Sequence, residues 1–220
     1  ISTRIAMIEQ LSTMFSYEFM RNALIASFWI SLATGIIGTL VVLNRIVSLS
    51  GGIAHAAYGG VGISYFLGQD PMIGALLFST VAALIMGMAK RRSRSGADTL
   101  IGVMWSVGMA VGIIFISLTP GYKANLMSYL FGSILAVPTM DLFIMLVLNV
   151  IIILIVALFY KELQAISFDE TFAFVVNVPV NRFYMLLVSL IAITVVMTMI
   201  NPTTRMVMTT VMAIRLTSSM

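Results

Sequence analysis

The chain has 220 residues, of which 60% are hydrophobic and only 9% charged, and its mean hydropathy is +1.10. That composition excludes a water-soluble globule and places the chain in a membrane. The net charge of +4 does not describe a nucleic-acid-binding face, because the basic residues fall at the ends of apolar runs, and the lack of cysteine removes disulfides, thiolate metal sites and a cysteine nucleophile.

The few charges leave seven charge-free windows, at 22–44, 46–69, 71–89, 99–122, 124–140, 142–160 and 183–204. A spanning helix needs about 20 apolar residues. Membrane barrels alternate apolar and polar residues in segments of roughly 10, whereas these runs are apolar on every face. The expected fold is therefore all-α: a polytopic transmembrane helical bundle of about six spans plus one re-entrant or short helix, in a single domain covering 1–220.

In chain order, residues 1–6 are set aside as preceding a start at Met7, and 1–22 form an outer N-terminal segment. The 23-residue run after Arg21 exceeds a signal-peptide h-region, which has about 7–15 residues. It reads as a retained span over 23–43. A second span over 46–67 and a third over 72–89 follow. Lys90, Arg91, Arg92 and Arg94 then cluster with only Asp98 nearby to offset them. The positive-inside rule makes that loop cytoplasmic. The span over 99–119 leads to an outer turn at Pro120-Gly121-Tyr122-Lys123. Residues 126–137 are too short to cross and read as a re-entrant or short outer helix, buried against protein; the alternative is a kinked full span turning at Pro138-Thr139-Met140-Asp141, which reverses every later side. A span over 142–160, an inner loop over 161–182 and a span over 183–200 complete the count. After Asn201-Pro202-Thr203-Thr204-Arg205, only nine uncharged residues precede Arg215, so 201–220 is expected to be an atypical, truncated tail.

The 46–69 run differs from the others in its Ser, Gly, His and Tyr content. Gly51, Gly52, Gly59 and Gly60 let neighbouring helices approach, as small-xxx-small contacts do. His55, the only histidine, sits mid-span, where an ionisable group usually faces a pathway or another helix. Two readings stand for it: a neutral imidazole bonded across helices, or a weak transit ligand for a divalent metal. One imidazole cannot build a tetrahedral site, but a transported ion must also leave. The 18 methionines are scattered without a repeated spacing and read as packing rather than thioether metal sites. Ser50 and His55 lie five apart, on different helix faces, which argues against an intramembrane serine hydrolase. No phosphate-binding loop is present, so any nucleotide hydrolysis belongs to another chain. The segment Ser167–Phe174 combines a capping Ser167, acidic Asp169 and Glu170, and aromatic Phe168 and Phe172, a pattern that fits equally a short amphipathic helix at the membrane surface and an ordinary capped connector.

Five motifs carry a resemblance over about 17–200. They are Gly35-Ile36-Ile37-Gly38 with Val42 to Arg45, Ser50-Gly51-Gly52-Ile53-Ala54-His55-Ala56-Ala57, Asp98-Thr99-Leu100-Ile101-Gly102, Ser128-Tyr129-Leu130-Phe131-Gly132-Ser133-Ile134-Leu135, and Ser167-Phe168-Asp169-Glu170-Thr171-Phe172-Ala173. In this order they resemble the integral permease subunit of bacterial zinc and manganese uptake ABC transporters. The resemblance implies a multi-pass protein of the bacterial cytoplasmic (inner) membrane that is not itself an enzyme and holds no permanent cofactor. Its cargo is a divalent metal, Zn, Mn or Fe. The alternative cargo is a metal chelate or vitamin. Implied partners are a second permease copy, a cytoplasmic ABC ATPase, an extracytoplasmic metal-binding protein and membrane lipid, with no nucleic acid.

On the resemblance, Ser167, Phe168, Asp169, Glu170 and Phe172 form the coupling helix. Phe168 and Phe172 enter an ATPase groove, while Asp169 and Glu170 cap the helix or meet basic residues of that groove. His55 matches the pathway histidine, which in the family commonly follows an acid four positions earlier. Here that position is Gly51, so no carboxylate–imidazole pair is carried over. The family also continues into further Gly-rich spans where this chain has its 201–220 tail.

Overall fold

The apolar runs fold as helices because a backbone in lipid must satisfy its N–H and C=O groups within the segment. The computed structural model describes residues 17–92, 96–119 and 139–200; the expected re-entrant segment 126–137 and the 201–220 tail lie outside the described residues. Among the described residues there are eight helices: α1 (Glu18–Leu43), α2 (Val47–Phe66), α3 (Pro71–Arg92), α4 (Ala97–Leu118), α5 (Thr139–Leu158), α6 (Tyr160–Phe168), α7 (Glu170–Val175) and α8 (Val180–Ile200). The first helix starts inside the expected outer segment 1–22, so Glu18 and Arg21 belong to its first turns.

Five helices are long and apolar enough to cross a membrane: Met20–Leu43, Pro71–Arg92, Asp98–Leu118, Asp141–Leu158 and Val180–Met199. The sixth expected span, α2, has the length, 20 residues, or about 30 Å, but its glycines and serines lower its hydropathy. It is instead enclosed by protein, with Leu49, Ile53, Ala56, Ala57, Tyr58 and Val61 all buried. Two thirds of the α8 span (67%) is also buried, against 17% for α5, so α8 is a central post and α5 lies at the rim.

Three helices end in the same way. At the end of α1 the Arg45 amide donates to the Val42 carbonyl and the Ile46 amide to Val41. At the end of α2, Gly68 and Gln69 donate to Tyr65 and Ser64, and at the end of α7 Asn177 and Val178 donate to Phe174 and Ala173. This is the Schellman arrangement, which requires a left-handed residue just past the helix. Gly68 (φ +67) fills that place without cost, and Asn177 (φ 60) tolerates it, but Arg45 (φ 56) is an uncommon occupant.

Side-chain contacts fix which helix ends lie together. Lys90 Nζ meets Asp98 Oδ1 at 3.0 Å, Ser48 Oγ lies 3.4 Å from the same oxygen, and Arg91 Nη2 meets Glu170 Oε1 at 2.7 Å. Asn44 Nδ2 donates to Ser167 Oγ at 2.8 Å. One end of the bundle therefore gathers the α1–α2 turn, the feet of α3 and α4, and the α6–α7 segment; the inner loop expected over 161–182 lies on the side of the basic cluster. At the far end Phe66 and Phe115 pack edge to face at 5.4 Å, and Asp70 is near enough to Asp141 for the two carboxylates to repel. So α4 ends and α5 begins at that far end.

The core is built by small residues. A methyl group built on Gly60 would overlap the Gly74 backbone; one on Gly62, the Gly112 carbonyl; one on Gly108, the Ala56 backbone. These contacts join α2 to α3 and to α4, the two closest helix pairs. On the other side, the buried Asn149 side-chain amide of α5 donates to the Trp29 carbonyl of α1, an interhelical bond of the kind that holds helices in lipid.

Candidate functional site

Two places carry the residues singled out in the sequence, and they do not meet. His55 lies eight residues into α2, about 12 Å above the basic end. Its ring, half-buried, stacks on Trp105 of α4 with centroids 3.9 Å apart and planes 12° from parallel. At Gly51, one turn earlier, an added Cβ would sit 3.6 Å from the Trp105 ring, an ordinary contact, so the stack does not need a glycine there. Gly52 is tighter, 2.6 Å from the Ile101 side chain, and Gly59 would meet Phe78 and the Gly108 carbonyl at 3.0 Å. Four further close-contact glycines, Gly62, Gly74, Gly108 and Gly112, were not picked out as packing residues; for the last two the Gly108-x-x-x-Gly112 spacing was the signal.

No group of three or more His, Asp or Glu residues with metal-binding spacing occurs among the described residues. A single imidazole can hold an ion in passing but cannot retain it. Ser50 Oγ donates to the Val47 carbonyl at 2.8 Å, so its proton is spent within its own helix and is not offered to His55 as a hydrolase would need.

The second place is α7 at the basic end. Asp169 adopts an extended conformation (φ −149, ψ 101) that stops α6 and starts α7. Its carboxylate Oδ1 accepts the amides of Thr171 and Phe172 at 2.9 and 3.0 Å, as an N-cap does. The cap is thus Asp169, as the resemblance implied, and not Ser167, the cap read from the residues alone. Ser167 Oγ donates back to the Leu163 carbonyl at 2.6 Å and accepts from Asn44, which binds it to the end of α6. Glu170, expected to meet a partner's basic residue or to cap, pairs with Arg91 of its own chain, and the Arg91 guanidinium lies 5.0 Å from the centre of the Tyr184 ring.

Ala173 is buried beneath α7, while Phe168, Phe172, Phe174 and Val175 are 69%, 57%, 75% and 71% exposed. Large apolar groups presented together at the end of a bundle mark an interaction surface. Phe174 and Val175 enlarge the pair expected from sequence.

The ABC 3 transport family matches residues 16–217. This chain belongs to that family. Among its relatives, an uncharacterised membrane protein of Synechocystis sp. is 52% identical over 90% of this chain and 71% of its own length. A probable metal transport system membrane protein of Chlamydia trachomatis is 37% identical over 80% and 62%, and the manganese transport system membrane protein MntC of Listeria monocytogenes 37% over 86% and 68%. This chain thus spans 62% to 71% of the length of these relatives. The solved structure of PsaBC from Streptococcus pneumoniae in complex with Fab is similar in fold, with a TM-score of 0.76 and 34% identity, covering 88% of this chain and 69% of that one.

Proposed function

We propose that this chain is the permease subunit of an ATP-binding-cassette importer that moves a divalent metal ion, Mn²⁺ before Zn²⁺, across the bacterial inner membrane. The observation that carries the reading is α7: a short capped helix at the basic end, its aromatic side chains turned away from the bundle in a member of the ABC 3 family. The positive-inside rule puts that end in the cytoplasm, where a soluble ATPase can reach it. The manganese named for relatives such as MntC supports the choice of cargo.

On this reading Phe168 and Phe172 seat in an apolar groove of the ATPase in the helix-in-groove mode. Asp169 fixes the helix, and the Arg91–Glu170 pair ties it to α3, so motion of the ATPase is delivered to the bundle. Two permease copies enclose the pathway and His55 serves as a transit ligand, with an extracytoplasmic binding protein supplying metal at the far end. ATP-driven closure then opens the pathway to one side at a time.

The test is uptake of radiolabelled Mn²⁺ and Zn²⁺ by cells and proteoliposomes holding the permease with its ATPase. Phe168→Ala combined with Phe172→Ala should leave the chain inserted yet abolish ATPase co-purification and uptake. His55→Ala should lower uptake while the ATPase still binds. Retention of full uptake by the double phenylalanine variant would refute the docking role, and unchanged transport of both metals by His55→Ala would return that residue to packing.

A further inference from the structure

At the basic end a cavity of about 480 Å³ opens between the α1–α2 turn, the foot of α3, α7 and α8. Its volume lies within the roughly 300–1,000 Å³ common to small-ligand sites. Three cations line it, Arg45, Lys90 and Arg91, against one acid, Glu170. Glu170 is already matched by Arg91, and Lys90 reaches out to Asp98. Arg45 is exposed and forms no ion pair among the described residues.

The cavity wall also includes Tyr184, a residue only 8% exposed, whose buried hydroxyl oxygen has no hydrogen-bond partner among the described residues. A buried tyrosine hydroxyl ordinarily finds one. A third observation is the backbone of Arg45, left-handed at φ 56 where glycine is the usual occupant. A strained conformation at a charged residue is a pointer to function. Together these groups offer N–H and O–H donors around a space of net positive charge, a lining that repels a metal cation and so cannot be part of its route.

We infer that this cavity binds a phosphate group on an anionic ligand. Arg45 meets the phosphate oxygens by charge-assisted hydrogen bonds, Lys90 adds its charge while held to Asp98, and the Tyr184 hydroxyl donates from the buried wall. Two sources share that chemistry: the headgroup of an acidic inner-leaflet phospholipid, and a soluble phosphate. The cavity lies beside the exposed Val42 and Leu43 of the last α1 turn, where acyl chains would pass, and basic pockets between spans on the cytoplasmic side recognise lipid headgroups in this way.

The experiment titrates the full chain, purified in neutral detergent, with short-chain phosphatidylglycerol, phosphatidylcholine and inorganic phosphate, and reads thermal stabilisation relative to each variant's own ligand-free melting temperature. Phosphatidylglycerol should stabilise the chain and phosphatidylcholine should not. Arg45→Gln and Tyr184→Phe should each weaken the apparent affinity about tenfold. Arg182→Gln, which removes the same charge from the same face outside the cavity, should leave it unchanged. Stabilisation by inorganic phosphate with the same dependence on Arg45 and Tyr184 assigns the site to a soluble ligand; stabilisation by phosphatidylglycerol alone assigns it to lipid. Absence of stabilisation by both, equal response to the two lipids, or equal weakening by Arg45→Gln and Arg182→Gln would overturn the inference.

Discussion

The second helix and the seventh handle apolar contact in opposite ways. Twenty residues of α2 are held by taking side chains away, so that Gly60 meets Gly74 and Gly62 meets Gly112 backbone to backbone. Six residues of α7 are held by one aspartate cap and a buried Ala173, while their aromatic groups stay uncovered. Lipid tails are as apolar as leucine, so a helix inside the membrane gains from close backbone approach rather than from hydrophobic burial. A helix at the water boundary can hold apolar surface in reserve for a partner. Tolerance to substitution should therefore be reversed between the two: α2 fails on added atoms, α7 on removed ones.

The largest effect is expected at the tightest point of α2. Gly60→Val should cost about 3 kcal/mol of stability through overpacking against α3, read as loss of the folded species in thermal melting. Next comes Asp169→Ala, which leaves two amides of α7 without an acceptor and should cost that helix about 1 kcal/mol. Hydrogen exchange at Thr171 and Phe172 checks it: both amides should exchange faster while the spans stay protected. Smaller still is Phe172→Ala alone, whose exposed side chain should change the melting temperature by less than the equivalent of about 0.5 kcal/mol, whatever it does to the proposed ATPase docking. The smallest belongs to Gly51→Ala, where the new methyl finds only ordinary contact with Trp105. If Gly51→Ala proves as damaging as Gly60→Val, close packing is not what singles out α2.

Most of the architecture was legible because charges are so few that each one marks a helix end. The Lys90–Arg94 cluster oriented every span, and the side of 161–182, which parity alone supported, is now tied down by the Arg91–Glu170 pair. That pair joins residues 79 positions apart, and no local pattern announces it. The stack of His55 on Trp105 was hidden for the same reason, since the register of α2 against α4 depends on glycines in both helices. Residue type alone put the cap two residues early, because Ser167 is an equally good capping type, while the resemblance already allowed Asp169. Asn44, arriving from the end of α1, engages the Ser167 hydroxyl and leaves the aspartate to start α7. The role of Asn149 across α1 and α5 was overlooked altogether, although a buried amide within an apolar span was a visible signal.

The collision that would follow any atom added at Gly60 or Gly74 has a mechanical meaning. Helices meshed through their backbones cannot slip past one another without breaking contact, so α2, α3 and α4 behave as one strut. On the proposed function, a push received by Arg91 at the foot of that strut would reach His55, halfway up it, through these backbone contacts.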